Sequence, residues 1–198
     1  MRKKDLTKEV RIQDATAAII LKEGAAAVST VKVAKRVGIS QSNVYLYFKN
    51  KDDLLLSVYQ REQARIQAAG DLNQLTDKTI ALPVRLRLYM RGIFDYAVDH
   101  PESLTLIQQI KFLMGQDDGN PLLATVQGTQ NIVETLMQEA VDAGVIRNVP
   151  VNVHMSLVFS MIHTHTLNLK RGLYQPTDYS FETFYDLLWS GIKGPAAD

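Results

Sequence analysis

The sequence predicts an all-α fold of about nine helices, with a smaller N-terminal domain and a larger C-terminal one. Apolar residues recur at three- and four-residue intervals nearly from end to end, which is the period of an amphipathic helix. No alternating apolar and polar run bounded by hairpin turns is present, so strands are not expected. The 198 residues are 46% hydrophobic and 22% charged, a composition typical of a globular protein with a sizeable core.

Glycines and polar capping residues divide the N-terminal quarter into four helices. Apolar residues three and four positions apart predict a first helix that starts at Leu6. It is expected to end at Gly24, since glycine readily ends a helix. Ser29 or Thr30 caps the second helix, and Gly38 ends it by adopting a positive φ. The other two helices are expected from Ser40 through Phe48, and from Asn50 or Lys51 toward Ala68 before Gly70.

A polar stretch over residues 72–78 separates these helices from the C-terminal ones. Pro83 suits the first turn of a helix that ends before His100, and Pro101 starts the next. The segment 115–121 is the clearest loop. The remaining helices are expected over about Leu122–Ala143, Val151–Arg171 and Phe181–Ile192.

The formal net charge of +1 conceals an uneven distribution of charge along the chain. Residues 1–51 carry eleven Lys and Arg against four Asp and Glu, a net of +7, whereas residues 52–198 carry eleven against seventeen, a net of −6. A basic module beside an acidic remainder is typical of nucleic-acid binding, because Lys and Arg displace counterions from phosphates. A solvated basic face without a partner fits the charge alone equally well.

Several classes of protein and site are excluded by what the sequence lacks. Without cysteine there is no disulfide scaffold, thiolate zinc site, iron–sulfur cluster or cysteine nucleophile. No signal peptide or membrane span is visible, so a cytoplasmic protein without a membrane partner is expected. His163 and His165, two apart on a helix, point away from each other and cannot easily share a metal, so neither metal nor cofactor is expected. No catalytic motif is recognisable, and the chain is not expected to be an enzyme.

The stretch from Ser29 to Leu54 has the pattern of a helix-turn-helix. Ala34 is small where two helices must cross, Gly38 allows the turn, and Val44 supplies a buried contact from the following helix. This spacing alone also fits short helical pairs in proteins that bind no DNA.

The residues that follow make the pattern more specific. Tyr45-Leu46-Tyr47-Phe48 and Asn50-Lys51-Asp52-Asp53-Leu54-Leu55 resemble the end of the DNA-binding domain of the TetR family of transcriptional regulators. The resemblance covers about the first 55 residues; Thr16 stands where alanine is usual, and Val28-Ser29-Thr30 is a loose version of the usual paired threonines. It implies a helix-turn-helix DNA-binding domain over 1–53 and a helical regulatory and dimerisation domain over 54–198.

Nine residues are expected to contact DNA. Gln41, Ser42 and Asn43 form the polar first turn of the third helix, and the leading residues of a recognition helix reach base edges in the major groove. A merely solvated helix start is the alternative for these three. The hydroxyls of Tyr45 and Tyr47 could each bond to a phosphate, although Tyr47 could instead be core. The amine of Lys51 could bond to a phosphate beside the positive end of helix four. The expected contacts are completed by Ser29, Thr30 and Lys32.

The last two large helices are apolar on every side, so they are expected to be buried on more than one face. One face can meet the core and the other a second copy of the chain, as the resemblance also implies, with Phe184 and Trp189 on that interface. A deep monomeric core is the alternative. The residues expected to line a mostly apolar small-molecule pocket, or else to be ordinary core, are Tyr89, Phe94, Tyr96, Phe112, Met114, Met155, Phe159, His163 and Trp189.

The sequence therefore predicts a homodimeric, ligand-responsive transcriptional regulator. It is expected to be a repressor that binds a palindromic double-stranded DNA operator and is released by a small apolar or aromatic effector. A DNA-binding dimer without an effector is the alternative, and an enzyme on a helical scaffold is a less favoured one.

Overall fold

The structure, a computed structural model, describes residues 6–115 and 132–195 of the chain. These residues form ten α-helices and one turn of 3₁₀ helix, and within them no helix is long and apolar enough to cross a membrane. The helices are α1 Leu6–Glu23, α2 Thr30–Val37, α3 Gln41–Tyr45, α4 Lys51–Ala69, α5 Leu72–Thr76, α6 Leu82–Asp99, α7 Pro101–Met114, α8 Ile132–Asp142, α9 Val151–Lys170 and α10 Phe181–Ile192, with the 3₁₀ turn at Ala25–Ala27. The predicted all-α fold is confirmed.

Two of the expected elements are corrected by the structure. The third helix ends at Tyr45 rather than Phe48, because the amides of Tyr47 and Phe48 both donate to the carbonyl of Val44 in a turn that buries the Phe48 ring. The polar stretch after Gly70 contains the short helix α5, whose start is capped by Asp71 and whose Leu75 is buried. The expected loop beyond residue 115 and the start of the helix expected from Leu122 lie outside the described residues.

The chain divides into two compact units, each built from two segments. Of the described residues, 6–64 and 105–115 belong to the first unit, and 65–104 and 132–195 to the second. The boundary predicted after residue 53 falls inside α4, which continues without interruption from Lys51 to Ala69. The division into domains 1–53 and 54–198 therefore stays a prediction about which part folds independently.

The first unit has an apolar core between α1, α2, α3 and the first half of α4. Leu6 and Val10 are exposed; Val10 lies two positions before the buried Ile12 and so on the opposite side of the helix. Thr16, in place of the usual alanine, is fully buried, and its hydroxyl donates to the carbonyl of Ile12 at 2.8 Å. Gln109 of α7 also belongs to this unit, and its side-chain oxygen accepts the Ala25 amide hydrogen at 3.1 Å.

A charge cluster around the buried Arg85 ties three helices of the second unit together. Arg85 of α6 is only 3% exposed; its Nε donates to the carbonyl of Leu75 at 2.9 Å, and its two terminal nitrogens lie 3.0 and 2.9 Å from the carboxylate oxygens of Glu139 on α8. Lys78 also bonds to Glu139. Hydrogen bonds from Arg85 and then Lys78 lower the pKa of Glu139 from 4.5 to about 2. A bidentate pair of this kind fixes both distance and orientation between the helices.

We expect Glu139→Gln to lower the free energy of unfolding by about 1 kcal/mol at pH 7, because it removes charge-assisted hydrogen bonds from a partly exposed site. Since the folded carboxyl has the lower pKa, its stabilisation is present above about pH 4.5 and is lost as the pH falls toward 2. Urea unfolding at pH 7 and pH 3 measures this, with the exposed Glu134→Gln on the same helix as control. A destabilisation by Glu139→Gln that is the same at both pH values would contradict the assignment.

Candidate DNA interface and effector site

A helix-turn-helix is formed by α2, the turn 38–40 and α3. Gly38 has φ +78° and ψ 36°, the left-handed conformation that L side chains rarely adopt. The amides of Gly38 and Ile39 both donate to the carbonyl of Ala34 at 3.0 Å. Val33, Ala34 and Val44 are buried where the two helices meet, so the orientation of α3 is set by close packing as well as by the turn.

Serine hydroxyls cap both helices of the motif. Ser29 accepts the Lys32 amide hydrogen at 3.2 Å, so Ser29 rather than Thr30 is the cap of α2. Ser40 accepts the Asn43 amide hydrogen at 3.3 Å and caps α3. The Ser40 hydroxyl also lies 2.9 Å from the donating side-chain amide of Asn43 and 2.8 Å from the hydroxyl of Ser42.

Three of the predicted DNA-binding residues form a hydrogen-bonded triangle, which we call the Thr30–Gln41–Tyr45 cluster. The side-chain Nε2 of Gln41 donates to the Thr30 hydroxyl at 2.8 Å and to the Tyr45 hydroxyl at 3.3 Å, and these two hydroxyls are 3.3 Å apart. Thr30 is buried, whereas Gln41 and Tyr45 are exposed. The buried hydroxyl therefore holds the exposed amide of Gln41 in one orientation at the start of α3.

The other predicted phosphate contacts have intramolecular partners that the sequence did not reveal. Lys51 donates from Nζ to the carbonyl of Ala26 at 2.9 Å, and Lys32 lies 3.0 Å from the carboxylate of Glu23 in an exposed ion pair. Tyr47 is half-buried, with its ring centroid 6.5 Å from that of Phe48. All nine predicted residues belong to the first unit, and only Thr30 among them is buried.

The residues around Lys51 are positioned by reciprocal capping at the start of α4. The side-chain oxygen of Asn50 accepts the Asp53 amide hydrogen at 2.8 Å, and the Asp53 carboxylate accepts the Lys49 amide hydrogen at 2.8 Å. Two otherwise unpaired amides are thereby satisfied. This pairing accounts for Asn50 and Asp53 in the Asn50-Lys51-Asp52-Asp53 sequence.

The nine residues expected to line a pocket are divided between the two units. Phe112, which is 71% exposed, and the buried Met114 belong to the first unit. Phe94 is part of the core of the second unit, and Met155 and Phe159 pack against that core. Tyr89 packs against the same core, and its burial raises its pKa. The hydroxyl of Tyr96 lies 3.3 Å from that of Ser103, and Trp189 stacks on Tyr185. His163 is buried, and this burial lowers its pKa.

A groove of about 420 Å³ in the second unit is lined by other residues than these nine. It lies along α9, α10 and the connection between them, and its lining residues are Ser160, Met161, Thr164, His165, Asn168, Tyr174, Tyr179, Phe184 and Leu187. The sequence contained one signal of it: Ser160, Thr164 and Asn168 recur every four residues on this helix and so share one face. No group of three or more acidic or histidine side chains that could hold a metal occurs among residues 6–115 and 132–195.

Comparison with known proteins identifies the family. The solved structure of a Lactobacillus plantarum protein, assigned as a transcription regulator, is 52% identical in sequence, with a TM-score of 0.84 and coverage of 94% of this chain and 99% of that one. A sequence profile of bacterial regulatory proteins of the tetR family matches residues 12–58. The chain belongs to the TetR family. This TetR-family protein is a DNA-binding transcriptional regulator and not an enzyme, as the sequence predicted.

The chain is also similar to two more distant proteins. A TetR-family regulator from Marinobacter aquaeolei VT8 has the same fold, with a TM-score of 0.79 at 21% identity over 98% of this chain and 100% of that one. The fatty acid metabolism regulator protein of Bacillus subtilis (strain 168) is 23% identical over 157 residues, which are 78% of this chain and 79% of that protein.

Proposed function

We propose that this TetR-family regulator is a repressor that binds a palindromic operator as a homodimer and leaves it when a small, largely apolar molecule binds to its second unit. The observation that carries the DNA-binding part is the Thr30–Gln41–Tyr45 cluster at the start of α3. The cluster holds an exposed glutamine amide where a recognition helix reads base edges.

The cluster favours readout of adenine by Gln41. A glutamine amide pairs with adenine by donating to N7 and accepting from N6. Within the described residues the Gln41 side-chain oxygen accepts no hydrogen bond, and the 3.3 Å contact to Tyr45 is long enough for a base acceptor to replace it. Because Thr30 already fixes the side chain, less conformational entropy is lost when Gln41 binds a base.

In this proposal Lys51 and Lys32 bind to phosphates of the DNA backbone. Lys51 has three amine hydrogens and gives one to Ala26, so the others remain for a phosphate oxygen. The exposed Lys32–Glu23 pair is worth little in water, so a phosphate can replace the Glu23 carboxylate. Contacts of this kind position the protein on DNA without reading its sequence.

We expect Gln41→Ala to lower affinity for the operator by about tenfold or more, in line with ~1–3 kcal/mol for a bidentate base contact, while affinity for random DNA stays unchanged. Lys51→Ala should weaken operator and random DNA alike and reduce the salt dependence. Fluorescence anisotropy over a salt series, on an inverted repeat upstream of the gene, measures both. The exposed Gln60→Ala on α4 is the control. Equal losses on both DNAs for Gln41→Ala would refute base readout by this residue.

We expect Thr30→Val to reduce discrimination between operator and random DNA several-fold, because valine keeps the size of the side chain but removes the acceptor that orients Gln41. Thr30→Ser keeps the hydroxyl and should retain most of the discrimination. Both variants are compared by anisotropy after thermal unfolding has established that they are folded. If Thr30→Val discriminates as well as the wild type, the cluster has no part in recognition.

The homodimer is proposed from apolar side chains that one chain leaves exposed on α9 and α10. Val153, Leu157 and Leu187 are exposed, although these helices also carry the core of the second unit. Phe184, expected on the interface, is only 5% exposed within one chain, because it belongs to that core. A self-complementary apolar face of this kind is what a twofold dimer uses.

We expect Leu157→Asp to lower the dimer content at micromolar concentration, because it places a charge on the proposed interface at a position that is 39% exposed in one chain. Light scattering after gel filtration measures the mass, and circular dichroism establishes that the helices remain. Val84→Asp, at an exposed apolar position on α6, is the control and should leave the mass unchanged. A wild-type protein that is monomeric in this measurement would remove the dimer from the proposal.

Ligand release is supported by the groove of about 420 Å³ and by the similarity to a fatty acid metabolism regulator. Helices α4 and α7 both have residues in the two units, and α4 directly follows the helix-turn-helix. We expect ligand binding to change the spacing of the recognition helices through α4. A tenfold loss of operator affinity needs only ~1.4 kcal/mol of differential binding. In the competing function, a DNA-binding dimer without an effector, no small molecule changes operator affinity.

A further inference from the structure

We propose that Leu46 reads a thymine in each half of the operator, by packing its side chain against the C5 methyl group of that base in the major groove. The proposal rests on the proposed function, because it requires that α3 enters the groove. It adds a tenth residue to the nine that the sequence predicted, and this one is apolar and selects one base.

Leu46 points away from the core of the first unit. It directly follows α3 and continues its helical backbone, with φ −69° and ψ −22°. It lies two positions after Val44, which corresponds to about 200° of rotation around the helix, and Val44 is fully buried. Leu46 itself is 64% exposed. The side of the helix opposite the buried one therefore ends in a leucine.

This outward side of α3 also carries predicted base contacts. Ser42, four positions before Leu46, is its neighbour on that side and is exposed. Tyr45 directly precedes Leu46, and its hydroxyl accepts a hydrogen bond from Gln41 within the Thr30–Gln41–Tyr45 cluster. The outward side therefore begins with polar side chains and ends with an aliphatic one.

The position of Leu46 identifies the group that covers it. One exposed leucine is ordinary on a protein surface, but this one lies at the end of the recognition helix of a DNA-binding protein. The net charge of +7 over residues 1–51 favours DNA over an apolar partner at this surface. Among the groups that base edges present in the major groove, the C5 methyl of thymine is the apolar one. Leucine packs against it without leaving a hydrogen-bonding group unpaired.

The spacing along the helix gives the expected position of the thymine. Leu46 lies five positions after Gln41, which corresponds to about 7.5 Å along the helix axis. Base pairs are stacked at intervals of about 3.4 Å, so this distance equals roughly two base-pair steps. We therefore expect the thymine within about three base pairs of the adenine that Gln41 reads, with the same spacing in both half-sites.

The test is a double-mutant cycle between Leu46 of the full chain and the methyl group of the DNA. The operator comes from an inverted repeat upstream of the gene or from selection in a random library. Each thymine is replaced in turn by uracil, which lacks only the C5 methyl. We expect one uracil position in each half-site to lower wild-type affinity about fourfold by anisotropy, the equivalent of one methyl group left unburied. Leu46→Ala should reduce that loss to less than about 1.5-fold.

Two further variants control for the loss of a side chain. Leu21→Ala removes a leucine that is 43% exposed on α1, outside the helix-turn-helix, and should retain the full effect of uracil. Leu46→Met keeps an apolar side chain of similar volume and should retain most of that effect. Because Leu46 is outside the buried core, its variants should unfold at the same urea concentration as the wild type.

Three results would overturn the proposal: wild-type binding that no uracil weakens, an effect of uracil that Leu46→Ala leaves unchanged, or equal losses by Leu46→Ala on operator and random DNA. Each of them leaves the proposed function intact as long as the operator binds more tightly than random DNA. If no DNA sequence is preferred over random DNA, operator binding itself is refuted, and the reading of thymine by Leu46 with it.

Discussion

The orientation of α3 depends on the left-handed turn at Gly38. A single carbonyl, that of Ala34, accepts the amides of Gly38 and Ile39, so α2 ends and the chain reverses within three residues. With no side chain, Gly38 adopts this conformation without the steric cost that other residues incur. The Thr30–Gln41–Tyr45 cluster joins the start of α2 to α3, so it requires that the two helices meet at this one angle.

The second unit is held by two different kinds of interaction with different consequences. The Arg85–Glu139 pair fixes α6 against α8 through directional bonds, and its contribution to stability varies with pH. The aromatic residues around Phe94 and Phe184 fill the interior by packing, which is close to independent of pH. His165 stacks within this second group, and its Nε2 has no hydrogen-bond partner among residues 6–115 and 132–195.

Helix α9 has two sides with different surroundings. Val158 and Ile162 enter the core, whereas Val153, Leu157 and Thr164, which are four and seven positions apart, share the exposed side. A helix that is apolar on all sides predicts burial on more than one face, and it does not indicate which face meets which partner. The same pattern on α10 led to the expectation that Phe184 lies on the interface. In the structure Phe184 is in the core, and Leu187 is exposed.

The sequence by itself determined the longer helices and the motif, because caps, glycines and apolar period act within a few residues: Ser40 and the start of α3, Gly38 and the turn, Pro101 and α7. It also determined the family, through local runs such as Asn50-Lys51-Asp52-Asp53. Only the tertiary structure decided that Lys51 bonds to Ala26, twenty-five positions earlier, and that His165 and Phe184 line one groove. Such pairs are set by how helices pack, and packing depends on residues far apart in the chain, which local periodicity does not bring together.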